Sequence, residues 1–302
     1  MAVGPVKIAV ASGKGGTGKT TVAASLALAV SRLEGSSAGR SPAGATFLDC
    51  DVEAPNAHLF LRPRFDRRAD VTIMLPRVDP TKCDGNGRCA QVCAYHAIVV
   101  IGRQTLVLPE LCHGCGSCSL ACPSGAIDES PRVIGVLEAG SAAAGIPFAR
   151  GVLAVGEPMA APAIRQLKKW ALGDAQSGVG AAILDVPPGT SCPMVEAVRG
   201  TDFVLLVTEP TPFGLHDLRL ATEVCAEMGI PTGVVINRDG IGDRRVDAFC
   251  SSNGLPVLLR IPFERAIAEG VARGRTLLDV RPEYAARLRD VYARIVGEVG
   301  PR

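Results

Sequence analysis

Seven of the chain's eleven cysteines lie between Cys83 and Cys122, and they follow one spacing pattern twice. The second copy reads Cys112-x2-Cys115-x2-Cys118-x3-Cys122-Pro123. At the same offsets the first copy has Cys83, Asn86, Cys89 and Cys93, each 29 residues before its counterpart. The segment is therefore an internal duplication in which asparagine replaces one cysteine. Thiols at such short, regular intervals indicate a metal-binding segment.

The second copy matches the cysteine run of bacterial-type, two-cluster ferredoxins, in which the fourth cysteine of each run ligates the other cluster. This rule predicts a [4Fe–4S] cluster held by Cys93, Cys112, Cys115 and Cys118. The other site then has thiols from Cys83, Cys89 and Cys122, with Asn86 at the fourth position. Because a neutral carboxamide is a poor ligand for iron, we expect a [3Fe–4S] cluster there, or a [4Fe–4S] cluster with one labile iron.

Two alternatives stay open for this segment. Four cysteines also suit tetrahedral zinc, although two interleaved runs with a Cys-Pro ending favour iron–sulfur clusters. The incomplete site is in addition compatible with loss of its cluster.

Composition and charge narrow the expected partners and location. At 302 residues, with 47% hydrophobic and 21% charged residues, the chain is expected to form about two globular domains. A net charge of +2 and 4% aromatic residues provide no basic surface or stacking platform, so nucleic acid is not an expected partner. No apolar stretch is long enough to span a bilayer and no signal peptide is visible, so stable membrane binding is not expected. Cysteine spacing typical of metal sites indicates a reducing, cytoplasmic location.

Around the cysteine-rich segment, short apolar runs alternate with helical patterns. The runs, typical of buried strands, lie at residues 6–12, 45–51, 151–156, 181–186, 203–208, 233–237 and 256–261. The helical patterns lie at residues 21–33, 160–172, 214–228, 243–252 and 282–299, and a small, polar loop is predicted at 35–44. Near-continuous apolar strands separated by helices predict a doubly wound, mainly parallel α/β sheet. The last helix has a single apolar stripe, which favours docking on the sheet over membrane binding.

A glycine-rich loop follows the first predicted strand. Residues 13–20 fit the pattern G-x-x-x-x-G-K-[ST] between a strand and a helix, the context required of a phosphate-binding P-loop. Backbone amides at the start of such a helix cradle phosphates, Lys19 reaches the β- and γ-phosphates, and Thr20 holds Mg²⁺ through its hydroxyl. The nucleotide-binding candidates here are Gly13, Gly15, Gly16, Thr17, Gly18, Lys19, Thr20 and Thr21.

A second lysine, Lys14, lies early in the loop, and the run Lys14-Gly15-Gly16-Thr17-Gly18-Lys19-Thr20 resembles the deviant Walker A motif of the MinD superfamily of ATPases. In that family the early lysine crosses a dimer interface to the partner's nucleotide. The resemblance therefore implies a dimer in which Lys14 and Lys19 neutralise charge that develops on the transferred phosphoryl group. Taken alone, Lys14 is equally compatible with a solvated surface charge.

Three further motifs match the same family in the expected order. Leu48-Asp49-Cys50-Asp51 resembles the first switch segment, which implies that Asp51 positions the attacking water. Residues 183–189 resemble the Walker B strand and second switch, which implies that Asp185 contacts Mg²⁺ through water and that the Gly189 amide senses the γ-phosphate. Asn237-Arg238 resembles the adenine-reading position. An aspartate at a strand end is often only a helix cap, but four motifs in one order favour the resemblance.

The whole chain is similar to the branch of this superfamily with an inserted ferredoxin domain, and Asn86 departs from its pattern. The expected fold is a P-loop sheet in two parts, residues 1–75 and 132–302, with a small α+β ferredoxin insert at residues 76–131. Cys192 lies seven residues after Asp185, where the nitrogenase iron-protein branch has a cluster cysteine, but no second cysteine lies between residues 133 and 185. Buried structural thiols are expected at Cys50, Cys225 and Cys250, and are the favoured reading of Cys192.

The sequence thus predicts an ATPase that closes as a dimer over ATP and Mg²⁺ and is coupled to iron–sulfur clusters. ATP-gated electron transfer to a partner protein is the favoured function. A carrier or assembly scaffold for iron–sulfur clusters or another metal is the main alternative, since an open corner at Asn86 would allow exchange. A MinD-like spatial organiser is a weaker one. The dimer is expected to form with a second copy of the chain or with a paralogue. The expected partner is a redox or cluster-acceptor protein.

Overall fold

The computed structural model describes residues 4–32, 44–173 and 180–300. The polar loop predicted at residues 35–44 lies outside the described residues, apart from Gly44. The strands are β1 Val6–Ala11, β2 Ala45–Asp49, β3 Arg64–Val78, β4 Ile98–Ile101, β5 Gln104–Val107, β6 Ile127–Ser141, β7 Pro147–Leu153, β8 Ala181–Asp185, β9 Phe203–Thr208, β10 Thr232–Asp239 and β11 Val257–Pro262.

Helices connect most of these strands. They are α1 Lys19–Ser31, α2 His58–Leu61, α3 Arg88–Val92, α4 Ser117–Leu120, α5 Ala160–Leu172, α6 Cys192–Val198, α7 Pro212–Glu227, α8 Arg245–Ser252, α9 Arg265–Ala272, α10 Leu277–Val280 and α11 Tyr284–Val299. A short 3-10 turn spans Ala143–Gly145. Among the described residues, no helix is both long and apolar enough to cross a membrane.

Within the described residues, nine strands form one sheet in the order β11-β10-β9-β1-β8-β2-β7-β6-β3. The strands from β11 to β7 pair in parallel, whereas β6 and β3 pair antiparallel. All residues of β2, β8 and β9 are buried, as expected for a parallel sheet that is covered on both faces. The predicted α/β fold with a mostly parallel central sheet is confirmed.

One apolar core lies on each face of this sheet. On one face α1 packs between the sheet and α11, and its Ala- and Leu-rich sequence is buried on almost every side. The single apolar stripe of α11, with Leu288, Val291 and Ile295, contacts this core. On the other face α5, α6, α7 and α8 cover the sheet. These two layers hold the carboxyl ends of the parallel strands in fixed positions.

The sequence did not predict the two long antiparallel strands. Pro76 and Pro131 were expected to mark the limits of the insert, but β3 and β6 continue through them. Both prolines are tolerated because β3 is an edge strand and because β6 pairs with β7 only from Gly135 onward. The strand predicted at residues 151–156 also differs, since β7 begins at Pro147 and a turn follows Leu153. The domain limits at residues 75/76 and 131/132 stay a prediction.

Residues 79–126, between β3 and β6, carry all seven clustered cysteines. The structure of this segment is itself duplicated, as the sequence predicts. Helices α3 and α4 each follow a glycine with positive φ, Gly87 at 74° and Gly116 at 76°. Cys89 of α3 and Cys118 of α4 lie together in a small core with Ile98 and Ile127.

We expect the stacked pair Phe47 and Phe148 to be a main contributor to the stability of the sheet. The rings lie 5.5 Å apart and both side chains are fully buried. Phe148→Ala should lower the free energy of unfolding by about 3–5 kcal/mol, because it leaves a large cavity. Phe213→Ala is the control, since Phe213 is 76% exposed, and it should change stability by less than about 0.5 kcal/mol. Equal effects in a urea titration would contradict this view of the core.

Candidate functional site

A cavity lies at the carboxyl ends of the parallel strands, above β1, β2 and β10. Most of the predicted nucleotide-binding residues line it: Gly15, Gly16, Gly18, Lys19, Thr20, Thr21, Asp51, Asn237 and Arg238. Gly13, Lys14 and Thr17 lie on the other side of the loop, against α7. The sequence did not predict the apolar wall at the carboxyl end of β11, formed by Ile261, Pro262 and Phe263. Such a wall is suited to one face of a planar base, and the only signal for it was Phe263 directly after a strand.

Two glycines of the loop are required by close approaches. A Cβ at Gly13 would lie 2.3 Å from the backbone oxygen of Asp217 in α7. Gly18 has a φ of 90°, and a Cβ there would lie 2.3 Å from Asn237 Nδ2. That amide nitrogen donates to the Thr17 carbonyl at 2.7 Å. Asn237 therefore fixes the loop from the end of β10.

Lys19 and Asp185 form a buried ion pair at the start of α1. Lys19 Nζ lies 2.6 Å from Asp185 Oδ1, and Asp185 is fully buried. Burial opposes the charge of Lys19, but Asp185 outweighs it and raises the pKa of the lysine. The second carboxylate oxygen, Asp185 Oδ2, is buried without a hydrogen-bond partner. A carboxylate oxygen without a protein partner is the kind of ligand that suits Mg²⁺.

Asp49, which the sequence did not predict as a site residue, lies directly beside this pair. It is fully buried and lies opposite Asp185 in the β2–β8 ladder. Its Oδ1 accepts from the Asp51 amide at 3.2 Å and its Oδ2 from the Ala57 amide at 3.0 Å. Burial and the nearby Asp185 raise the pKa of Asp49 to about 8. Asp49 therefore ties both ends of residues 51–57, which begin at Asp51 of the first switch segment, to the sheet.

A buried glutamate, also missed from sequence, joins the two cations at the mouth of the cavity. Glu209 accepts from Arg238 Nη1 at 2.6 Å and pairs with Lys14 Nζ at 3.4 Å. Arg238 also donates to the Gly16 carbonyl at 3.1 Å, and its backbone has a φ of 55°. Positive φ at an arginine costs energy and is typical of functional sites. Lys14 is thus held within its own chain rather than projecting freely.

The predicted switch residues Asp51 and Gly189 lie at the same edge of the sheet. Burial raises the pKa of Asp51, although Lys19 acts against this shift. The Gly189 amide, predicted to sense a γ-phosphate, donates to the Ser12 carbonyl at 3.0 Å. The roles of both residues stay predictions.

The clustered cysteines line two cavities that combine the two runs in the predicted crossed manner. One cavity is lined by Cys93 of the first run with Cys112, Cys115 and Cys118 of the second. The other is lined by Cys83 and Cys89 with Cys122 of the second run, and by Asn86. Within the described ranges, no three His, Cys, Asp or Glu side chains converge on a single metal ion. The thiols instead surround the two cavities, an arrangement compatible with clusters in which each iron takes its own cysteine.

The polar contacts of these cysteines suit thiolate ligands. Backbone amides donate to two of the sulfurs, from Ala97 to Cys93 and from Ala126 to Cys122, both at 3.3 Å. Such donors stabilise anionic sulfur and tune a bound cluster. The serine neighbour Ser117 lowers the pKa of the Cys115 thiol.

Asn86 has a structural role in the turn before α3. Its Oδ1 accepts from the Arg88 amide at 2.9 Å and its Nδ2 donates to Asp84 Oδ1. Both ends of the carboxamide are therefore used locally. The second site offers three thiols, from Cys83, Cys89 and Cys122, and the residues present fit an incomplete cluster better than a complete one.

The other four cysteines lie outside these cavities. Cys50, Cys225 and Cys250 are buried, and burial raises the pKa of the thiol of Cys225 to about 11. Cys192 is exposed at the start of α6, so it is not the buried thiol that the sequence favoured.

Comparison with known proteins identifies the family of this chain. Residues 8–277 match the family described as CobQ/CobB/MinD/ParA nucleotide binding domain. The chain belongs to this family. Its membership accounts for the P-loop sheet and for nucleotide binding at the strand ends, and it confirms the family resemblance at the level of a MinD-type P-loop protein.

Individual relatives agree with this placement. An uncharacterised protein of Methanocaldococcus jannaschii is 29% identical over 283 residues, which are 90% of this chain and 91% of that protein. A protein of Synechocystis named "Iron-sulfur cluster carrier protein" is 28% identical over 323 residues, 99% of this chain and 73% of that protein. The septum site-determining protein MinD from Pyrococcus horikoshii, solved with Mg-ADP, is 19% identical with a TM-score of 0.56, covering 98% of each chain. At that identity the last likeness shows the fold alone.

The raised pKa of Asp49 predicts how stability depends on pH in the absence of Mg²⁺ and nucleotide. The folded chain keeps a proton on Asp49 up to about pH 8, whereas the unfolded chain releases it near its usual pKa. The free energy of unfolding should therefore fall as pH rises toward 8, by at most about 1.4 kcal/mol per pH unit. Asp49→Asn should flatten this slope in urea titrations.

The control is Asp66→Asn, since Asp66 is exposed on β3, and this variant should keep the wild-type slope. A wild-type stability that rises between about pH 5 and pH 8 would contradict the proton on Asp49.

Proposed function

We propose that the chain is an ATP-hydrolysing, dimeric switch coupled to iron–sulfur clusters, and that it gates electron transfer to a partner protein. One observation carries the proposal: a P-loop cavity and two four-position cysteine cavities are built on the same sheet. A nucleotide switch has no need of cluster sites unless the two are coupled. Electron relay is the common use of such cysteine runs.

At the nucleotide site, the residues of the loop bind and orient the triphosphate. Backbone amides at the start of α1 receive the phosphates, and Lys19 moves from Asp185 toward the β- and γ-phosphates. Thr20 and Asp185 would hold Mg²⁺, which would supply neutralisation of the charge that develops during phosphoryl transfer. Asp51 orients the attacking water, and Asn237 with Arg238 contacts the base beside the apolar wall.

A dimer follows from the role of Lys14 in a deviant Walker A loop. The Lys14 side chain is one-third exposed and held by Glu209. It must leave Glu209 to reach a nucleotide in a second subunit, so its stabilising charge is available only after two chains close over ATP. The second subunit is another copy of this chain or a paralogue.

At the cluster sites, the cysteines provide two unequal environments. Cys93, Cys112, Cys115 and Cys118 would hold a [4Fe–4S] cluster, and Cys83, Cys89 and Cys122 a [3Fe–4S] or labile [4Fe–4S] cluster. Clusters of these kinds, when bound, supply one-electron redox couples. The amide donors at Cys93 and Cys122 and the different fourth positions would give the two sites different potentials.

A second candidate function is delivery of clusters or metal to an acceptor protein. Two observations favour it: Asn86 leaves one corner without a thiol, and the chain is similar to a protein named as an iron–sulfur cluster carrier. The functions differ in a measurable way. A gate for electrons keeps its clusters through many cycles of hydrolysis, whereas a carrier loses them to an apo-acceptor faster when ATP is present.

Lys19→Ala should separate the nucleotide site from the cluster sites. Loss of the buried cation should abolish binding and hydrolysis of Mg-ATP, while iron and sulfide content stay at the wild-type level, because Lys19 contacts none of the clustered cysteines. Phosphate release and iron content measured on one anaerobic preparation test this.

The matched control is Lys169→Ala, which removes an exposed lysine of α5 and should leave both measurements unchanged. Loss of iron together with hydrolysis in Lys19→Ala, at unchanged melting temperature, would argue that the two sites are not separate.

Asn86→Cys should convert the incomplete site into a complete one. A thiol at this position completes the first cysteine run, so iron content should rise by about one atom per chain relative to a [3Fe–4S] cluster. The oxidised [3Fe–4S] signal in electron paramagnetic resonance (EPR) should disappear at the same time.

Asn253→Cys, a thiol placed at an exposed position outside the cysteine segment, controls for the added cysteine. An unchanged spectrum and iron content in Asn86→Cys would contradict the assignment of this site.

A further inference from the structure

A bidentate ion pair connects the β3–β6 hairpin, which carries the clustered cysteines, to the loop that follows β7. Arg132 of β6 donates to Glu157 through Nη1 at 2.5 Å and through Nη2 at 2.9 Å. Glu157 belongs to the loop that joins β7 to α5, and its side chain is only 13% exposed. A paired, mostly buried geometry of this kind is more directional than an ordinary surface salt bridge.

On one side, this pair is linked to the first switch segment by backbone contacts. Val52, which follows Asp51, accepts from the Leu153 amide at the end of β7 at 2.9 Å. Gly151 of β7 lies close against this residue, since a Cβ at Gly151 would lie 2.7 Å from Val52 Cγ1. The chain then turns through Ala154, whose carbonyl accepts from the Glu157 amide at 3.1 Å. Val52 and Glu157 are therefore connected through residues 153–157, which are hydrogen-bonded at Leu153 and at Glu157.

On the other side, the pair adjoins the cavity predicted to hold the [4Fe–4S] cluster. Arg132 lies opposite Ile73 in the β3–β6 ladder. The loop between Cys112 and Cys115 rests on that strand, since a Cβ at Gly114 would lie 3.3 Å from Ile73 Cβ. Arg132 thus lies across the ladder from the residue against which the loop between Cys112 and Cys115 packs.

We propose that Arg132 is a positioning residue that transmits the state of the first switch to the [4Fe–4S] site through its ion pair with Glu157. The inference rests on the proposed coupling between nucleotide and clusters and names the contact that carries it. A reduced cluster is one charge more negative than an oxidised one, so a nearby guanidinium favours reduction. Movement of Glu157 changes both the place of that guanidinium and how far its charge is neutralised.

The test is a redox titration with dithionite of the full chain, purified anaerobically, with Mg-ADP and with a non-hydrolysable Mg-ATP analogue. EPR of the reduced [4Fe–4S] cluster reports the midpoint potential. Wild type should show a potential that differs between the two nucleotides. Arg132→Met keeps the bulk of the side chain and removes its charge, so reduction should become about tenfold less favourable, a shift of about 59 mV for one electron. The difference between nucleotides should disappear.

Glu157→Gln is the second variant and keeps Arg132 charged. It should retain nucleotide binding and iron content but lose the difference between nucleotides. The matched control is Arg165→Met, because Arg165 of α5 forms a similar bidentate pair with Glu196 of α6. That pair includes no residue of the hairpin, and this variant should behave as wild type.

The outcomes separate the two ideas. A nucleotide-dependent potential in wild type that survives in Arg132→Met and Glu157→Gln overturns the role of this ion pair and leaves the proposed function standing. A wild-type potential that is the same with both nucleotides overturns the proposed coupling between nucleotide and clusters, and with it the role of the Arg132–Glu157 pair. Loss of the difference in both variants and not in Arg165→Met supports the inference.

Discussion

The structure depends on a group of ionisable side chains buried at the ends of the central strands. Asp49 and Asp185 lie side by side in the β2–β8 ladder, and Lys19 closes the group from the first turn of α1. Burial of charge costs several kcal/mol per ion unless each ion is paired. Burial and the neighbouring Asp185 raise the pKa of Asp49, and Asp185 Oδ2 is left without a hydrogen-bond partner. Mg²⁺ would supply the positive charge that this arrangement lacks.

The same group fixes the geometry of the switch. The carboxylate of Asp49 bonds to the amides at both ends of residues 51–57, and the next residue after Asp51 bonds to β7. Strand β7 in turn pairs with β6, which is one half of the hairpin that carries the cysteines. No flexible linker separates the hairpin from the nucleotide site, because the strands belong to one sheet. This continuity distinguishes the chain from one that merely joins two independent domains.

Much of this was predictable from sequence, for identifiable reasons. Strands β8 and β9 were predicted because strands buried on both faces are apolar throughout. The P-loop was predicted because its glycines are required by close approaches such as that of Gly13 to Asp217. The crossed grouping of the cysteines followed from spacing, since a duplicated unit places equivalent thiols equivalently. In contrast, β3 and β6 have mixed polar sequences with prolines, and only pairing with each other makes them strands. Glu209, Asp49 and the Arg132–Glu157 pair depend on contacts between distant segments, which no local pattern reveals.

The central claim is that nucleotide state alters the iron–sulfur clusters, and one spectroscopic comparison tests it most directly. EPR spectra of the anaerobically purified chain, as isolated and after reduction, are recorded with and without Mg-ATP. The account predicts an oxidised [3Fe–4S] signal, a reduced [4Fe–4S] signal, and a change in the second signal when Mg-ATP is added. Two stable clusters whose spectra and rates of reoxidation are the same with and without Mg-ATP would contradict it.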